Sequence, residues 1–144
     1  MKKRKVSRRL QQLVSERAYF CCEYCISQEA YSPDPFSIEH IVPEILGGGS
    51  EEDNLALACQ GCNNHKHAKT TGIDPITLQE VPLFHPRRDA WQKHFAWSRD
   101  LTELIGMTPI GRATIVELRL NRENVVNLRQ VLILAEKHPP IHRT

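Results

Sequence analysis

Two short stretches of the chain decide how it folds: residues 22–25 read Cys-Glu-Tyr-Cys, and residues 59–62 read Cys-Gln-Gly-Cys. Two residues between cysteines let both thiolates of a tight turn face one ion. Two such turns supply four sulfurs in the tetrahedron that zinc prefers. Four thiolates leave no open position for a substrate, so we expect a structural zinc. The predicted ligands are Cys22, Cys25, Cys59 and Cys62.

The fifth cysteine, Cys21, directly precedes the first pair. It could replace Cys22 as a ligand, but packing as a small apolar residue is the favoured interpretation. The alternative to metal binding is that the cysteines of both pairs are redox-active or have no special function. One Cys-x-x-Cys pair would be weak evidence against that alternative, whereas two pairs are strong evidence for a metal.

The start of the chain is basic and lacks the apolar middle of a signal peptide, which favours a cytoplasmic protein. Cysteines in that reducing compartment bind metal or remain thiols rather than form disulfides. No apolar run approaches the ~18–20 residues that a membrane-spanning helix needs, so no membrane partner is predicted.

The stretch between and after the cysteine pairs predicts the order strand, loop, strand, helix. Residues 36–42 alternate and are rich in β-branched side chains, which predicts a strand that Pro43 ends. Residues 47–50 read Gly-Gly-Gly-Ser and predict a flexible loop. Residues 55–58 predict a second short strand, and residues 60–69 a short helix. This hairpin would return the second cysteine pair to the first.

The flanking segments predict mostly helix. Apolar spacing predicts a helix over residues 5–18. Residues 91–97 and 101–105 could pair as a hairpin, and the aromatic side chains of the first segment are predicted to be core. Thr-Pro, a cap followed by a first-turn proline, predicts a helix from residue 108 to about 120. Asn121 could cap a last helix over residues 122–137.

Basic residues are concentrated at the start of the chain, and the rest of the chain is net acidic. An arm of this kind commonly contacts phosphates through counterion release. The alternative is a solvated, frayed terminus. The predicted nucleic-acid contacts in the arm are Lys2, Lys3, Arg4, Lys5, Arg8 and Arg9.

Four further stretches surround the cysteines: Glu-His-Ile-Val-Pro at 39–43, Gly-Gly-Gly at 47–49, Asn-Leu-Ala-Leu-Ala-Cys at 54–59, and Cys-Asn-Asn-His-Lys-His at 62–67. With the first cysteine pair, and in this order, they resemble the HNH endonuclease family. The likeness runs from Cys22 to about Lys69. The C-terminal half also resembles the extension of a bacterial, notably cyanobacterial, subgroup through residues 81–84, 91–97 and 108–114.

The resemblance implies a metal-dependent endonuclease that hydrolyses phosphodiester bonds in nucleic acid, with DNA favoured, and leaves 5′-phosphate and 3′-hydroxyl ends. The fold class is α+β with a ββα-metal core stapled by a four-cysteine zinc. We divide the chain into a basic arm and helix (1–18), the zinc and ββα-metal core (19–72), and an extension of a hairpin and helices (73–144). The oligomeric state is open.

Hydrolysis of a phosphodiester needs a base that activates water and a cation that offsets charge on the phosphate. His40 suits the base role because histidine is the commonest general base. Glu39 is its neighbour on the strand, so regular pairing points the two side chains to opposite faces, and only a twist or bend brings both to one site. The resemblance implies that Glu39 binds the catalytic metal. It also implies that Asn54 hydrogen-bonds backbone near the base and fixes the loop.

By resemblance, Asn63 occupies the family's second metal position, where histidine is more common. An amide oxygen is a hard ligand and favours Mg²⁺ or Mn²⁺. His67 lies four residues on, on the same helix face, and is the preferred further ligand, whereas His65 should point away. Asn63 could instead cap the helix, and His67 could be an ordinary surface histidine. Lys66 falls on the family's lysine, which predicts a phosphate contact.

Two other classes of function remain open at this point. A zinc-ribbon nucleic-acid-binding module without catalysis would share the cysteines and the basic arm. It would have no need of Glu39, His40, Asn54 and Asn63 together. A structural adaptor that uses the C-terminal helices is the third possibility.

Overall fold

The computed structural model describes residues 6–143, so the predicted arm residues Lys2, Lys3, Arg4 and Lys5 lie outside the described residues. The first helix, α1 (Arg8–Arg17), begins where the Ser7 side chain accepts a hydrogen bond from the Leu10 amide. Its apolar side packs on a strand of the central hairpin through Val14, Ala18, Leu55 and Leu57, which form a small buried cluster. The predicted N-terminal helix is therefore confirmed.

The central hairpin joins β1 (Ser37–His40) and β2 (Leu55–Ala58) in an antiparallel pair, with His40 opposite Leu55. Helix α2 (Gln60–Lys66) follows at once, so the predicted order strand, loop, strand, helix is confirmed. Strand β1 is shorter than predicted because the amide of Val42, two residues beyond it, donates to a side chain, Asn54, rather than to a strand. Helix α2 is also shorter than predicted, because His67 takes a φ of 50° and ends it.

The C-terminal half adds two hairpins and three helices. The elements are β3 (Thr71–Ile73), β4 (Glu80–Pro82), α3 (Trp91–His94), β5 (Phe95–Trp97), β6 (Leu104–Gly106), α4 (Pro109–Leu118) and α5 (Glu123–Leu134). Strand β3 pairs with β4, and β5 pairs with β6, both antiparallel. The predicted hairpin is therefore only partly right, because its first four residues form α3. The β3–β4 hairpin was not predicted.

Of the two helix caps predicted for the last two helices, one is confirmed and the other is wrong. Thr108 accepts a hydrogen bond from the Gly111 amide and α4 starts with Pro109, as the Thr-Pro signal predicts. Asn121 does not cap α5; its side-chain amide instead bonds both backbone groups of Leu104. That part of the prediction was wrong because a long-range partner replaced the local one.

The main hydrophobic core surrounds the cysteines. Apolar side chains from both sides of residue 72 meet there, among them Tyr24, Phe84, Trp91, Phe95 and Leu118. Trp91 and Phe95 are core residues, as predicted, and the half-buried Trp97 packs against them. The segments 19–72 and 73–144 therefore share one core, while their proposed boundaries stay a prediction.

Among residues 6–143, no helix combines the length and the apolar character that crossing a membrane requires.

Candidate active site and metal centre

Four cysteines meet in the core between the start of the central segment and helix α2. The sulfur atoms of Cys22, Cys25, Cys59 and Cys62 all lie within 4.8 Å of one another. In the part of the chain that the structure describes, no other group of three or more His, Cys, Asp or Glu residues is close enough to share an ion. Four buried sulfurs at this spacing are able to bind zinc, and the cluster therefore fits a closed structural site.

Local hydrogen bonds shape each cysteine pair into a turn. In the first pair, the amide of Cys22 donates to the Ser27 carbonyl, and the amide of Ile26 donates to the Cys22 carbonyl. In the second pair, the amide of Cys62 points at the Cys59 sulfur at 3.4 Å, and Cys59 caps α2. Asn63 does not cap this helix, so that alternative is wrong.

Cys21 stays outside the cluster. It is buried, and its sulfur lies 3.4 Å from the Tyr19 carbonyl oxygen. Cys22, and not Cys21, supplies the first sulfur of the group, in agreement with the favoured prediction. Within the cluster, hydrogen bonds from Cys22 and from the second pair hold the pKa of Cys25 well below its ordinary value, while burial raises the pKa of Cys22. Cysteine thiols release their protons when they bind a metal.

Four of the other predicted residues line one open cavity of about 870 Å³ between β1, the following turn and α2, whereas Asn54 and Lys66 do not. Glu39, His40, Asn63 and His67 all contribute to its wall. Neither cysteine pair contributes to it, so the four-cysteine cluster and this cavity are separate sites. The fold thus brings together the residues that the sequence singles out for catalysis.

His40 is the last residue of β1 and is half-buried. Its ring Nε2 lies 2.9 Å from the Ser50 hydroxyl and 3.4 Å from a carboxylate oxygen of Glu44. Two partners on one ring nitrogen fix the orientation of the imidazole. Sequence reasoning missed both, although Glu44 stands four residues after His40 and Ser50 ends the glycine loop.

Asn54 ties the loop between the two strands to the end of β1. Its Oδ1 accepts the Val42 amide at 2.9 Å, and its Nδ2 donates to the carbonyls of Val42 and Gly49 at 3.0 and 2.7 Å. Gly48 lies inside this closure, where a Cβ would come within 1.7 Å of the Val42 carbonyl oxygen. These contacts are the backbone hydrogen bonds near His40 that the resemblance implies for Asn54.

Glu39 contributes to the cavity wall but is only 5% exposed. It accepts a hydrogen bond from the Tyr24 hydroxyl, and its other oxygen lies 3.3 Å from the Lys66 ammonium. Burial raises the pKa of Glu39, while Lys66 and Tyr24 act in the opposite direction. A carboxylate has about four lone-pair sites, so these two partners do not use its whole capacity to accept.

Lys66 does not reach solvent, which contradicts the predicted phosphate contact. The residue is 1% exposed, and its ammonium donates to the Ile41 carbonyl at 2.8 Å in addition to its contact with Glu39. The helix periodicity that turns Asn63 and His67 toward the cavity turns Lys66 inward. In this structure, the lysine neutralises a buried acid and does not meet a phosphate.

The remaining predicted residues of α2, and His67 directly after it, differ in whether they line the cavity. Asn63 is half-buried and His67 is exposed, and both line the cavity. His65 is not among the lining residues. Burial lowers its pKa, and the nearby charges of Arg122 and Arg119 act in the same direction. The expectation that His65 points away from Asn63 is met.

The comparisons with known proteins agree with this geometry. Residues 22–69 match the family model described as HNH endonuclease. No curated protein and no solved structure matches the chain. The matched range holds both cysteine pairs, both strands of the central hairpin and helix α2. Residues 22–69 of this chain are therefore an HNH endonuclease domain that carries a four-cysteine cluster.

Proposed function

We propose that this protein is a metal-dependent endonuclease that hydrolyses phosphodiester bonds in nucleic acid, with His40 as the general base. Membership of residues 22–69 in the HNH endonuclease family implies nuclease activity. The observation that carries the proposal is the shared cavity: an imidazole, a carboxylate and an amide line one open space of about 870 Å³. A non-catalytic zinc ribbon has no need of this arrangement.

In this proposal, His40 takes a proton from the attacking water. Ser50 and Glu44 occupy Nε2 of the ring, so the other ring nitrogen, Nδ1, is the one left to accept that proton. The Glu44 carboxylate also stabilises the imidazolium that forms. Asn54 acts through the loop: by holding the Val42 backbone, it fixes the chain on which His40 and Glu44 stand.

Glu39, Asn63 and His67 are the proposed ligands of a Mg²⁺ or Mn²⁺ ion. When bound there, such an ion supplies charge stabilisation for the phosphate and for the leaving 3′ oxygen, so that 5′-phosphate and 3′-hydroxyl ends result. The donor set fits a hard cation, because it offers a carboxylate and an amide oxygen. Tyr24 and Lys66 hold the Glu39 carboxylate in place from the protein side.

The four cysteines are proposed to hold a structural zinc. It would tie the start of the domain to the N-terminus of α2, the helix that carries Asn63. Since α2 and β1 form the two walls of the cavity, the zinc would set the distance between the proposed ligands. Metal binding of this kind contributes on the order of 10 kcal/mol to folding in small zinc domains.

DNA is the favoured substrate, bound without sequence preference through basic residues at the start of the chain. Val6 and Gln11 line the same cavity as His40, and the exposed side chains of Arg8 and Arg9 lie between them in sequence. The described part of this basic segment, from Val6 to Gln11, therefore lies at the edge of the proposed active site. Contacts of this kind position a phosphate backbone and give affinity that falls as salt rises.

The test is a nicking assay on supercoiled plasmid with Mg²⁺ or Mn²⁺, run beside a DNA-binding assay at the same salt. His40→Ala is compared with wild type and with His65→Ala, a matched histidine outside the cavity. Cleavage by wild type and His65→Ala, but not by His40→Ala, supports the proposal. Binding without cleavage by any of the three favours the zinc-ribbon module, and failure to bind DNA or RNA at low salt favours the adaptor.

A further inference from the structure

We propose that Arg122, from the C-terminal half of the chain, is part of the four-cysteine centre and stabilises its bound metal. The proposal rests on the zinc proposed above, and it goes beyond it by assigning a positioning residue outside the matched range 22–69. Arg122 directly precedes α5 and stands 60 residues beyond Cys62 in the sequence.

The guanidinium of Arg122 faces two of the four sulfurs. Its Nη2 lies 3.4 Å from the Cys59 sulfur, and its Nη1 lies 3.6 Å from the Cys62 sulfur. Its Nη1 also donates to the carbonyls of Arg119 and Leu118 at the end of α4, at 3.2 and 3.4 Å. These carbonyls hold the planar group, so that both nitrogens reach the second cysteine pair.

Gly61 provides a second, independent observation. A Cβ at this position would lie 2.5 Å from Nη2 of Arg122, closer than such contacts occur. The φ of Gly61 is not in the left-handed region, so the backbone conformation alone does not require glycine there. The space that glycine leaves within the Cys-Gln-Gly-Cys turn is therefore occupied by the guanidinium.

The negative charge of the four-cysteine centre explains the effect of the Arg122 guanidinium on the bound metal. Four thiolates and one Zn²⁺ carry a net charge of about −2 in a buried position, where uncompensated charge is costly. Within residues 6–143, no carboxylate lies at ion-pair distance from Arg122. Its charge therefore acts on the sulfurs, through charge-assisted N–H···S hydrogen bonds that favour the thiolate form.

Arg129 of α5 supports the first cysteine pair in a different way. It is buried, and its Nη2 donates to the Cys25 carbonyl at 3.2 Å and to the Leu120 carbonyl at 2.9 Å. Two arginines that lie seven residues apart thus reach both halves of the centre. The C-terminal half is for this reason a component of the metal site as well as of the core.

The experiment compares zinc affinity by chelator competition in the full chain for wild type, Arg122→Gln, Arg122→Lys and Arg119→Gln. Arg119 is an exposed neighbour, and its substitution removes the same charge without a sulfur contact. We expect Arg122→Gln to bind zinc about 10–100-fold more weakly, as for other residues that orient metal ligands. Its thiols should react faster with an alkylating reagent. Arg122→Lys should recover part of the affinity, and Arg119→Gln should match wild type.

Gly61→Ala provides a second variant, which keeps Arg122 but displaces its guanidinium, and it decides the matter if Arg122→Gln does not fold. Weaker zinc binding in Gly61→Ala supports the proposal. If wild type binds zinc and Arg122→Gln binds it with the same affinity, this inference alone is overturned. If Arg122→Gln does not fold, unchanged zinc affinity in Gly61→Ala has the same consequence. Wild type that binds no zinc overturns both this inference and the proposed structural zinc, while the nicking assay judges the catalytic proposal separately.

Discussion

The ammonium group of Lys66 lies 3.3 Å from the carboxylate of Glu39; both side chains are buried, and Glu39 lines the same cavity as His40. The buried Glu39 carboxylate requires a compensating positive charge, and the Lys66 ammonium supplies it. The pair fixes the side chain that we propose as a metal ligand. It also removes Lys66 from contact with solvent and hence with a phosphate.

Substitution of Lys66 by Met is expected to destabilise the zinc-loaded protein by about 3–5 kcal/mol, because it leaves the Glu39 carboxylate buried without its cation. The measurement is the free energy of unfolding in urea. Lys69→Met is the control, since Lys69 is exposed and pairs with Glu117 at 3.0 Å, where a loss of no more than about 1 kcal/mol is expected. Equal losses in the two variants would contradict the role given to Lys66.

Asn54→Ala should lower stability by about 2–4 kcal/mol, because it leaves backbone groups of Val42 and Gly49 without their side-chain partners. Cleavage should also fall, since the turn after His40 loses its anchor. The exposed Asn127 of α5, which does not line the cavity, serves as the matched asparagine, and Asn127→Ala should change neither quantity appreciably. Urea denaturation and the nicking assay test the two effects separately, and wild-type cleavage by Asn54→Ala would rule out its role at the site.

The cysteine set makes a clear prediction for single substitutions. Cys62→Ser should bind zinc poorly and lose cooperative thermal unfolding, because one of four ligands is lost from a site worth on the order of 10 kcal/mol. Cys21→Ser should remain folded and zinc-loaded, since Cys21 lies outside the cluster. Zinc content by elemental analysis and melting followed by circular dichroism check both. A zinc-free Cys21→Ser beside a zinc-loaded Cys62→Ser would contradict both the exclusion of Cys21 and the assignment of Cys62 as a ligand.

The ion pair between the buried Asp74 and the half-buried Arg112 predicts a pH dependence. Hydrogen bonds from Arg112 hold the pKa of Asp74 below its ordinary value, with further bonds from Thr77 and Ile76. A carboxyl with a lowered pKa in the folded state adds stability above its unfolded pKa of about 3.9, and this stability is lost as the pH falls toward the folded pKa. Wild type should therefore be more stable than Asp74→Asn at neutral pH, and the difference should shrink below about pH 4.

The measurement is the difference in melting temperature between wild type and Asp74→Asn across that pH range. Acid also displaces zinc from thiolates, but this affects both proteins, and the difference between them isolates Asp74. A difference that stays constant from neutral to acid pH would show that the carboxylate charge adds no stability.

Local sequence signals predicted the parts of the structure that depend on local chemistry. The spacing of the cysteines predicted which four would meet, and the Thr-Pro pair predicted where α4 begins, because a tight turn and a helix cap involve neighbouring residues. The order of β1, β2 and α2 followed from short periodic segments. The shared cavity follows from that order, since it brings residues 39–40 close to residues 63–67.

Contacts between residues distant in the sequence determine the features that the sequence did not predict. Lys66 was expected at a phosphate because it falls on the lysine of the family pattern, but its helix face turns it toward Glu39 and the Ile41 carbonyl. Arg122 meets sulfurs some 60 residues earlier, and Asn121 bonds Leu104 instead of capping its own helix. No periodicity or motif in a single sequence specifies such long-range pairs.

The central claim is that His40 performs proton transfer for phosphodiester cleavage, and a single-turnover cleavage rate tests it most directly. The assay uses a defined DNA duplex with saturating protein, Mg²⁺ or Mn²⁺, and variants whose zinc content and DNA affinity match wild type. The account predicts that His40→Ala cleaves about 10²–10⁴-fold more slowly than wild type, the range for loss of a general base, while His65→Ala cleaves at the wild-type rate. Equal rates for His40→Ala and wild type would contradict it.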